Sequence, residues 1–250
     1  MQVGAQLYTV REFCRTEAEL ALTLSRVAEI GYKAVQLSGV CEYDPQWMKN
    51  ELEKNSLRCV LTHISPDRLK SEPQRVACEH DVFGCDYVGL GSYRFKVEES
   101  GTDVSQFVTE YTPVMEALSN AGKYFMYHNH SHEFVKSDGI TLLEKMAVEI
   151  PAEKLGFTLD TYWAQFAGAD PSAFVSKLSG RVPCVHIKDF SYDRKMAVIG
   201  EGNINFDRFF EKAEEAGTRW LLVEQDDCNG EDPFECLRRS YNNLRAFGLK

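Results

Sequence analysis

Residues 124–134 read YFMYHNHSHEF, an apolar run that ends abruptly in a cluster of polar side chains. Residues 124–127 show no alternation between apolar and polar positions, which is typical of a strand buried on both faces of a parallel sheet. Three histidines and Glu133 follow at once. The stretch therefore predicts a buried strand whose C-terminal end carries chemically active groups.

Seven other runs of this kind occur along the chain, and each of the eight is followed by a helical pattern. The runs cover residues 3–8, 34–37, 59–64, 87–90, 124–128, 155–159, 182–187 and 220–223. The first helix shows both of its ends, because Thr16 and Glu19 form a capping-box pattern and Gly31 follows the last apolar position. Eight β-then-α units in 250 residues predict a (β/α)8 TIM barrel, as one domain over residues 1–250. A doubly wound open sheet is the alternative.

Composition narrows the class of protein. With 44% hydrophobic and 26% charged residues, the chain is typical of a soluble globular protein. Its formal net charge of -10 disfavours a nucleic-acid partner, which would require a basic surface. No apolar run approaches the roughly 20 residues that cross a bilayer, and the first residues do not resemble a secretory signal. We therefore expect a cytoplasmic protein with no membrane partner.

The eight cysteines are scattered and form no C-x-x-C pair. Without a secretory signal, this pattern favours reduced thiols over a disulfide framework or a cysteine-ligated zinc site.

Polar residues at the strand ends indicate where chemistry would take place. In a TIM barrel, the C-terminal ends of the strands meet at one mouth, which carries the active site. Glu133, Asp160, His186 and Glu224 follow four successive strands. Three carboxylates and one imidazole suit one divalent metal ion, either Mn²⁺, Mg²⁺, Co²⁺ or Zn²⁺. The sequence therefore predicts a metal site formed by these four residues.

Further strand-end residues are candidates for binding a substrate. This set consists of Gln6, Tyr8, His63, His128, His130, Trp163 and Lys188. Lys188 lies two residues beyond His186 and therefore on the same face of its strand, from which it could hold a hydroxyl or stabilise an oxyanion. For the histidines, the alternative is a buried imidazole that bonds only to its neighbours. For Lys188, the alternative is a surface lysine at a strand end.

The whole chain resembles the xylose isomerase-like TIM barrels of the sugar phosphate isomerase/epimerase group. The resemblance rests on QLYTVR, HNHSHEF, LDTYWAQFAGADP, GRVPCVHIKDF, GEGNINF and VEQDD, which run from the start of the chain to its last strand. It implies that the family's metal ligands fall on Glu133, Asp160, His186 and Glu224. It also implies that Glu133 and Glu224 act as paired acid and base.

Two positions depart from what the resemblance implies. Several epimerases of the group have a histidine three residues after the metal-binding aspartate, where this chain has Trp163, an aromatic wall suited to stacking on a sugar face. Related chains often carry a glutamate at the end of the second strand, where this chain has Gln36.

These residues lead to a ranked set of functions. The first is a divalent-metal-dependent isomerase or epimerase that acts on a sugar, a sugar phosphate or a keto-sugar through a cis-enediolate. The second is a lyase or dehydratase that acts on a keto-sugar or inosose at the same site, and the third is a non-catalytic sugar-binding barrel. Each implies a small carbohydrate partner, and a homo-oligomer is compatible with all three. A DNA repair nuclease is disfavoured by the acidic charge.

The segment GEGNINF, residues 200–206, follows the seventh strand. It lacks the G-x-G-x-x-G fingerprint of dinucleotide-binding proteins, so we interpret it as a loop in which Asn205 caps the next helix. Loops at this place in a barrel can also bind phosphate.

Overall fold

Eight parallel strands close into a barrel in the computed structural model, which describes residues 1–97 and 101–249. Each strand pairs with its two neighbours in chain order, and the first strand pairs with the last. The strands are β1 Gln2–Gln6, β2 Ala34–Leu37, β3 Arg58–His63, β4 Tyr87–Leu90, β5 Tyr124–His128, β6 Leu155–Asp160, β7 Cys184–Ile187 and β8 Trp220–Val223. This closure confirms the predicted TIM barrel and excludes the open sheet.

The predicted strand limits hold to within two residues. Residues 34–37, 87–90, 124–128 and 220–223 are strands with the predicted bounds. The largest differences are at β1, where Tyr8 lies in the 3-10 helix Leu7–Phe13, and at β7, which begins at Cys184.

Helices pack around the barrel. They are α1 Glu17–Ile30, α2 Pro45–Lys54, α3 Pro66–Ser71, α4 Pro73–Val82, α5 Ser105–Asn120, α6 Leu142–Glu149, α7 Thr161–Phe166, α8 Pro171–Lys177, α9 Phe206–Glu215 and α10 Pro233–Ala246. The side chain of Thr16 caps α1 as predicted, and that of Asn205 caps α9. In the described ranges, no helix combines the length and apolar character needed to cross a membrane.

The barrel interior is layered, and this layering positions the site. One layer is apolar and contains buried Ala34, Met126, Cys184 and Leu222 from four different strands. Side chains two residues further along a strand return to the same face. The next layer is therefore formed by Gln36, His128, His186 and Glu224, all of them buried polar residues. An apolar floor thus supports a polar layer at the C-terminal end of the barrel.

Two short antiparallel hairpins extend this C-terminal end. Lys136–Ser137 pairs with Ile140–Thr141 after β5, and Asp189–Phe190 pairs with Met196–Ala197 after β7. They shape the loops around the mouth of the barrel.

Candidate functional site

Four buried side chains converge at the mouth of the barrel. His128, Asp160, His186 and Glu224 each offer one ligand atom, and these atoms all lie within 4.8 Å of one another. His128, Asp160 and His186 belong to β5, β6 and β7, and Glu224 directly follows β8. Successive strands of the barrel thus bring two imidazoles and two carboxylates to one point.

His186 is oriented by a neighbour on the far side of its ring. Its Nε2 donates to Oε1 of Gln36 over 2.7 Å, so Nδ1 carries the lone pair. This Nδ1 lies 2.8 Å from Oε2 of Glu224 and has no hydrogen-bond partner. Burial, which outweighs the nearby charge of Glu224, lowers the pKa of His186. A neutral imidazole therefore directs its lone pair at a carboxylate oxygen.

His128 is held in a similar way. Its Nδ1 donates to the carbonyl oxygen of Gly91 over 2.9 Å, and its Nε2 lies 3.2 Å from Oδ2 of Asp160. Burial opposes the charged imidazole, but the hydrogen bond to Asp160, together with the negative charges of Asp160 and Glu224, outweighs burial and raises the pKa of His128. An outer partner that fixes the ring and directs the inner nitrogen at the other ligands is the usual arrangement of a metal-binding histidine.

Asp160 connects the site to the following helix. Its Oδ1 accepts from the backbone N–H of Trp163 over 2.9 Å and thereby caps α7. Its own backbone N–H donates to Oδ1 of Asn129, which fixes the end of β6 against the end of β5. The second oxygen, Oδ2, remains directed at His128 and Lys188.

Lys188 is the central cation of the site and is only 1% exposed. Its Nζ lies 3.1 Å from Asp160, 2.9 Å from Glu224 and 2.9 Å from Asp226. Burial opposes its charge, but Asp160 followed by the other two carboxylates outweighs burial and raises the pKa of Lys188. The predicted alternative, a surface lysine, is thereby excluded.

Glu224 and Asp226, two of the three carboxylates around Lys188, differ in their charge at neutral pH. Burial favours the neutral form of Glu224, but Lys188 and then His186 hold its pKa well below the usual range. At Asp226, burial and the charge of Glu224 raise the pKa to about 7. Glu224 is therefore ionised at neutral pH, whereas Asp226 is close to its own midpoint.

A cavity of about 520 Å³ opens beside the four residues. Among the residues predicted for the site, those that line it are Tyr8, His63, His128, His130, Trp163, Lys188 and Glu224. Nδ1 of His63 lies 3.1 Å from the hydroxyl of Ser38, whereas Nε2 is buried and has no partner. Burial, followed by His128, lowers the pKa of His130 to about 3, so its ring is neutral.

Glu133 does not join the four converging residues, contrary to the expectation for a metal ligand. Its Oε1 accepts from the hydroxyl of Tyr127, and its Oε2 accepts from the backbone N–H of His130 over 2.9 Å. The 3-10 turn His132–Phe134 directs this carboxylate into the protein, and Glu133 does not line the cavity. His128 takes the place that the sequence reasoning gave to Glu133.

Gln6 and His132 also lie away from the cavity lining. Oε1 of Gln6 accepts from the backbone N–H of Tyr8 over 2.9 Å, so it shapes the chain at the end of β1. Ring nitrogen Nε2 of His132 lies 3.1 Å from the carbonyl oxygen of Tyr93 and 3.2 Å from Oε1 of Glu133.

Sequence reasoning missed several participants. Gln36 was not among the site candidates, yet it orients His186. Ser38 contacts His63, and Gly91 contacts His128. Gln36 is the last but one residue of β2 and lies in the same layer as His186, so layer position was the signal that could have identified it. Asp226 joins the site through Lys188.

Comparisons with known proteins agree with the fold. The family described as xylose isomerase-like TIM barrel matches residues 24–245. The chain is similar to the rhizopine catabolism protein MocC of Rhizobium meliloti, with 24% identity over 164 residues that cover 58% of this chain. The match spans only about half, 50%, of that protein's length.

Two solved structures have the same fold. A sugar phosphate isomerase/epimerase from Parabacteroides distasonis superposes with a TM-score of 0.81 at 23% identity, covering 98% of this chain and 93% of that one. A probable 3-DHS dehydratase, AsbF, from Bacillus anthracis superposes with a TM-score of 0.74 at 16% identity, covering 98% and 99%. At these identities, the similarity shows the fold.

Proposed function

The chain belongs to the xylose isomerase-like TIM barrel family, and from this premise we propose that it is a divalent-metal-dependent isomerase or epimerase acting on a carbohydrate. The observation that carries the proposal is the convergence of His128, Asp160, His186 and Glu224 beside an open cavity.

The donor atoms fit a metal ion. Nδ1 of His186 and Oε2 of Glu224 lie 2.8 Å apart, both are buried, and the imidazole lone pair lacks a hydrogen-bond partner. Lys188 contacts the same oxygen of Glu224, and a metal ion would be a cation that both the imidazole lone pair and the carboxylate can bind. His128, Asp160, His186 and Glu224 would hold the ion, and two imidazoles with two carboxylates favour Mn²⁺, Co²⁺ or Zn²⁺ over Mg²⁺.

The chemistry follows from what lies around the cavity. A divalent ion bound here would supply Lewis-acid polarisation of a substrate carbonyl. Removal of a proton from the neighbouring carbon then requires a base that lines the same space. Glu224 lines the cavity and is held ionised by Lys188, so it is the proton acceptor in our proposal.

His63 is the second proton-transfer group in our proposal. It lines the cavity on β3, which is separated from β8 by β1 and β2, so it approaches a bound substrate from a different side than Glu224. Its Nδ1 contacts Ser38, its Nε2 is unpartnered, and burial lowers the pKa of the ring. A neutral imidazole with a free nitrogen can accept a proton and return it.

Lys188 would stabilise the negative charge that develops on the substrate oxygen. Its Nζ lies between three carboxylates and lines the cavity, so it reaches the reacting region without being exposed to bulk water. A buried cation placed where charge develops lowers the barrier without reorganising during the reaction.

One observation favours a second candidate, a lyase or dehydratase. Glu133 does not line the cavity, so the pair of glutamates implied for an epimerase does not face one substrate. An elimination needs one base at the carbon next to the carbonyl and one acid at the leaving group. Glu224 and a neighbouring imidazole would meet that need.

Proton exchange in heavy water tests the proposal. Metal-depleted protein is loaded with Mn²⁺, Co²⁺ or Zn²⁺ and incubated in D2O with ketoses and inososes, and the carbon next to the carbonyl is followed by NMR. We expect deuterium at that carbon in the presence of metal and loss of exchange in Glu224→Gln. A product with a new C=C bond would assign the lyase, whereas metal binding without any exchange would contradict catalysis and favour a sugar-binding barrel.

A further inference from the structure

The loop GEGNINF after β7 lies where TIM barrels frequently bind a phosphate group. Such a site consists of backbone N–H groups that point into a shared concavity and accept an anion there. In this protein the concavity is filled by a side chain of the chain itself, Asp189.

Both carboxylate oxygens of Asp189 accept hydrogen bonds from backbone N–H groups. Oδ2 accepts from the backbone N–H of Gly200 and of Gly202, each over 2.9 Å. Oδ1 accepts from Ile204 over 3.2 Å and from Phe190 over 2.8 Å. Asp189 is fully buried, and a Cβ added at Gly202 would lie 2.4 Å from its Oδ1. The carboxylate thus engages these N–H groups, and neither Asp189 nor residues 200–206 line the cavity beside the four converging residues.

Other N–H donors near this side of the mouth are also engaged. The side chain of Asn205 caps the start of α9, and that of Asp232 caps the start of α10. After β8, the N–H of Gln225 donates to Thr9 and that of Asp226 to the sulfur of Met196. The helix ends and loop nests that commonly bind phosphate are therefore satisfied internally.

The positively charged side chains that line the cavity also contact other groups of the protein. Of the described residues that line it, Arg11 and Lys188 are positively charged. The guanidinium of Arg11 donates to the carbonyl oxygen of Asp226 over 3.1 Å and stacks on the ring of Tyr8. Lys188 is shared among three carboxylates. Arg11 is therefore engaged by the protein, and the three carboxylates around Lys188 leave no excess positive charge to balance a doubly charged phosphate group.

Beside these charged groups, the cavity walls carry neutral side chains. Three buried ring nitrogens on its walls lack a partner: Nε2 of His63, Nδ1 of His130 and Nε1 of Trp163. The exposed ring of Tyr8 and the indole of Trp163 add flat apolar surface. Hydroxyl and carbonyl groups satisfy such nitrogens, and the aromatic faces suit the C–H face of a sugar ring.

We propose that this site takes an uncharged polyhydroxylated ketone, a ketose or inosose, and discriminates against its phosphate ester. The inference rests on the proposed function of the same site and specifies its substrate class.

Matched substrate pairs test the inference. Metal-loaded protein is given each ketose or inosose and the corresponding phosphate ester in D2O, and exchange is measured for both. We expect exchange on the free compound to exceed that on the ester by about a hundredfold or more in kcat/KM, because the ester group would be buried without partners. Faster exchange on the ester would overturn the inference and leave the proposed function intact.

If no compound exchanges, the reaction we propose fails, and inorganic phosphate decides the substrate class separately. Phosphate is titrated calorimetrically into metal-free protein, so that it cannot bind to a loaded metal ion. We expect a Kd for phosphate weaker than about 1 mM in the wild type and one at least about tenfold tighter in Asp189→Ala, which frees the loop N–H groups. Wild-type binding with a Kd of about 1 mM or tighter would overturn the inference, even if the variant does not fold.

Discussion

Oε1 of Gln36 lies 2.7 Å from Nε2 of His186, and this contact determines which nitrogen of the imidazole faces the cluster. With the proton on Nε2, Nδ1 is free to bind a metal ion. We expect Gln36→Leu to weaken metal affinity by about 10–100-fold, the usual effect of losing such an outer partner. Calorimetric titration of metal-depleted protein with Mn²⁺ or Zn²⁺ measures this change.

Gln6 provides the matched control, because it is equally buried and pairs with Gln36 across β1 and β2. Gln6→Leu should leave metal affinity unchanged, since Gln6 contacts the backbone N–H of Tyr8. Gln36→Glu keeps the acceptor and should retain affinity. Equal losses in the two leucine variants would mean that only packing is involved.

The position of His128 leads to a second prediction. His128→Gln removes a ligand nitrogen, so metal affinity should fall by more than about a hundredfold, beyond the effect of losing an outer partner. Elemental analysis after dialysis would detect the loss. Glu133→Gln should retain the metal but destabilise the protein by about 1–3 kcal/mol, because a buried acceptor becomes mismatched with its donors.

These two variants separate the ligand sets. If Glu133→Gln releases the ion while His128→Gln keeps it, the ligand set implied by the family resemblance is correct and the set derived from the structure is not.

Lys188 gives a prediction about the metal-free protein. Lys188→Met leaves the buried carboxylates of Asp160 and Glu224, and the partly exposed Asp226, without this counter-charge, so metal-free protein should lose about 3–5 kcal/mol. The loss should shrink when a divalent ion is supplied, because the ion replaces the missing positive charge at Asp160 and Glu224. Urea unfolding with chelator and with Mn²⁺ measures both states.

Lys123→Met is the control for Lys188→Met, because it also replaces a buried lysine with methionine. Lys123 lies far from the mouth, at the start of β5, and its partner Asp81 is largely exposed. Lys123→Met should therefore show the same stability change with and without metal. A metal-dependent change at Lys123, or none at Lys188, would contradict the role of Lys188.

The buried imidazole of His80 leads to a prediction about how the stability of the protein depends on pH. Its Nδ1 donates to the carbonyl oxygen of Val76 and its Nε2 accepts from Thr62, each over 2.7 Å, so the fold requires the neutral ring. Burial lowers the pKa of His80 to about 4. Between about pH 6.5 and pH 4, the unfolded chain takes up a proton that the folded chain refuses. The free energy of unfolding should therefore decrease by about 3 kcal/mol in total as the pH is lowered through this window.

The variant His80→Gln isolates this contribution. It should be less stable than the wild type near neutral pH, and the difference between the two should narrow as the pH falls to 4. Urea unfolding in chelator at several pH values measures that difference, and a constant difference would show that His80 does not titrate as described.

The fold was predictable from the sequence because its strands are buried on both faces. Runs such as residues 124–128 are apolar without alternation, and neighbouring glycines and capping residues mark the helices between them. The end of β1 and the start of β7 differ from the prediction by two residues, since apolar residues continue beyond the hydrogen-bonded ladder. At Tyr8, the chain turns into a 3-10 helix that apolar patterning does not distinguish from a strand.

The site was predictable only in part. Asp160 and His186 lie within strands, where the two-residue period fixes the direction of a side chain. Glu133 lies five residues beyond the end of β5, in a turn whose path no periodicity specifies. His128, the last residue of β5, satisfies the same rule as Asp160, and applying that rule strictly would have selected it. Gln36 and His186 are 150 residues apart in the chain, so no local pattern connects them, and the signal for Gln36 was its layer position in the barrel.

The apolar layer beneath the polar one has a consequence for turnover. Ala34, Met126, Cys184 and Leu222 close the barrel below His128 and His186, so ligands exchange through the mouth bounded by Tyr8 and Trp163. Product must leave along the path by which the next substrate arrives. Product inhibition should therefore be competitive, and any protein or loop that covers this mouth would slow entry and release together.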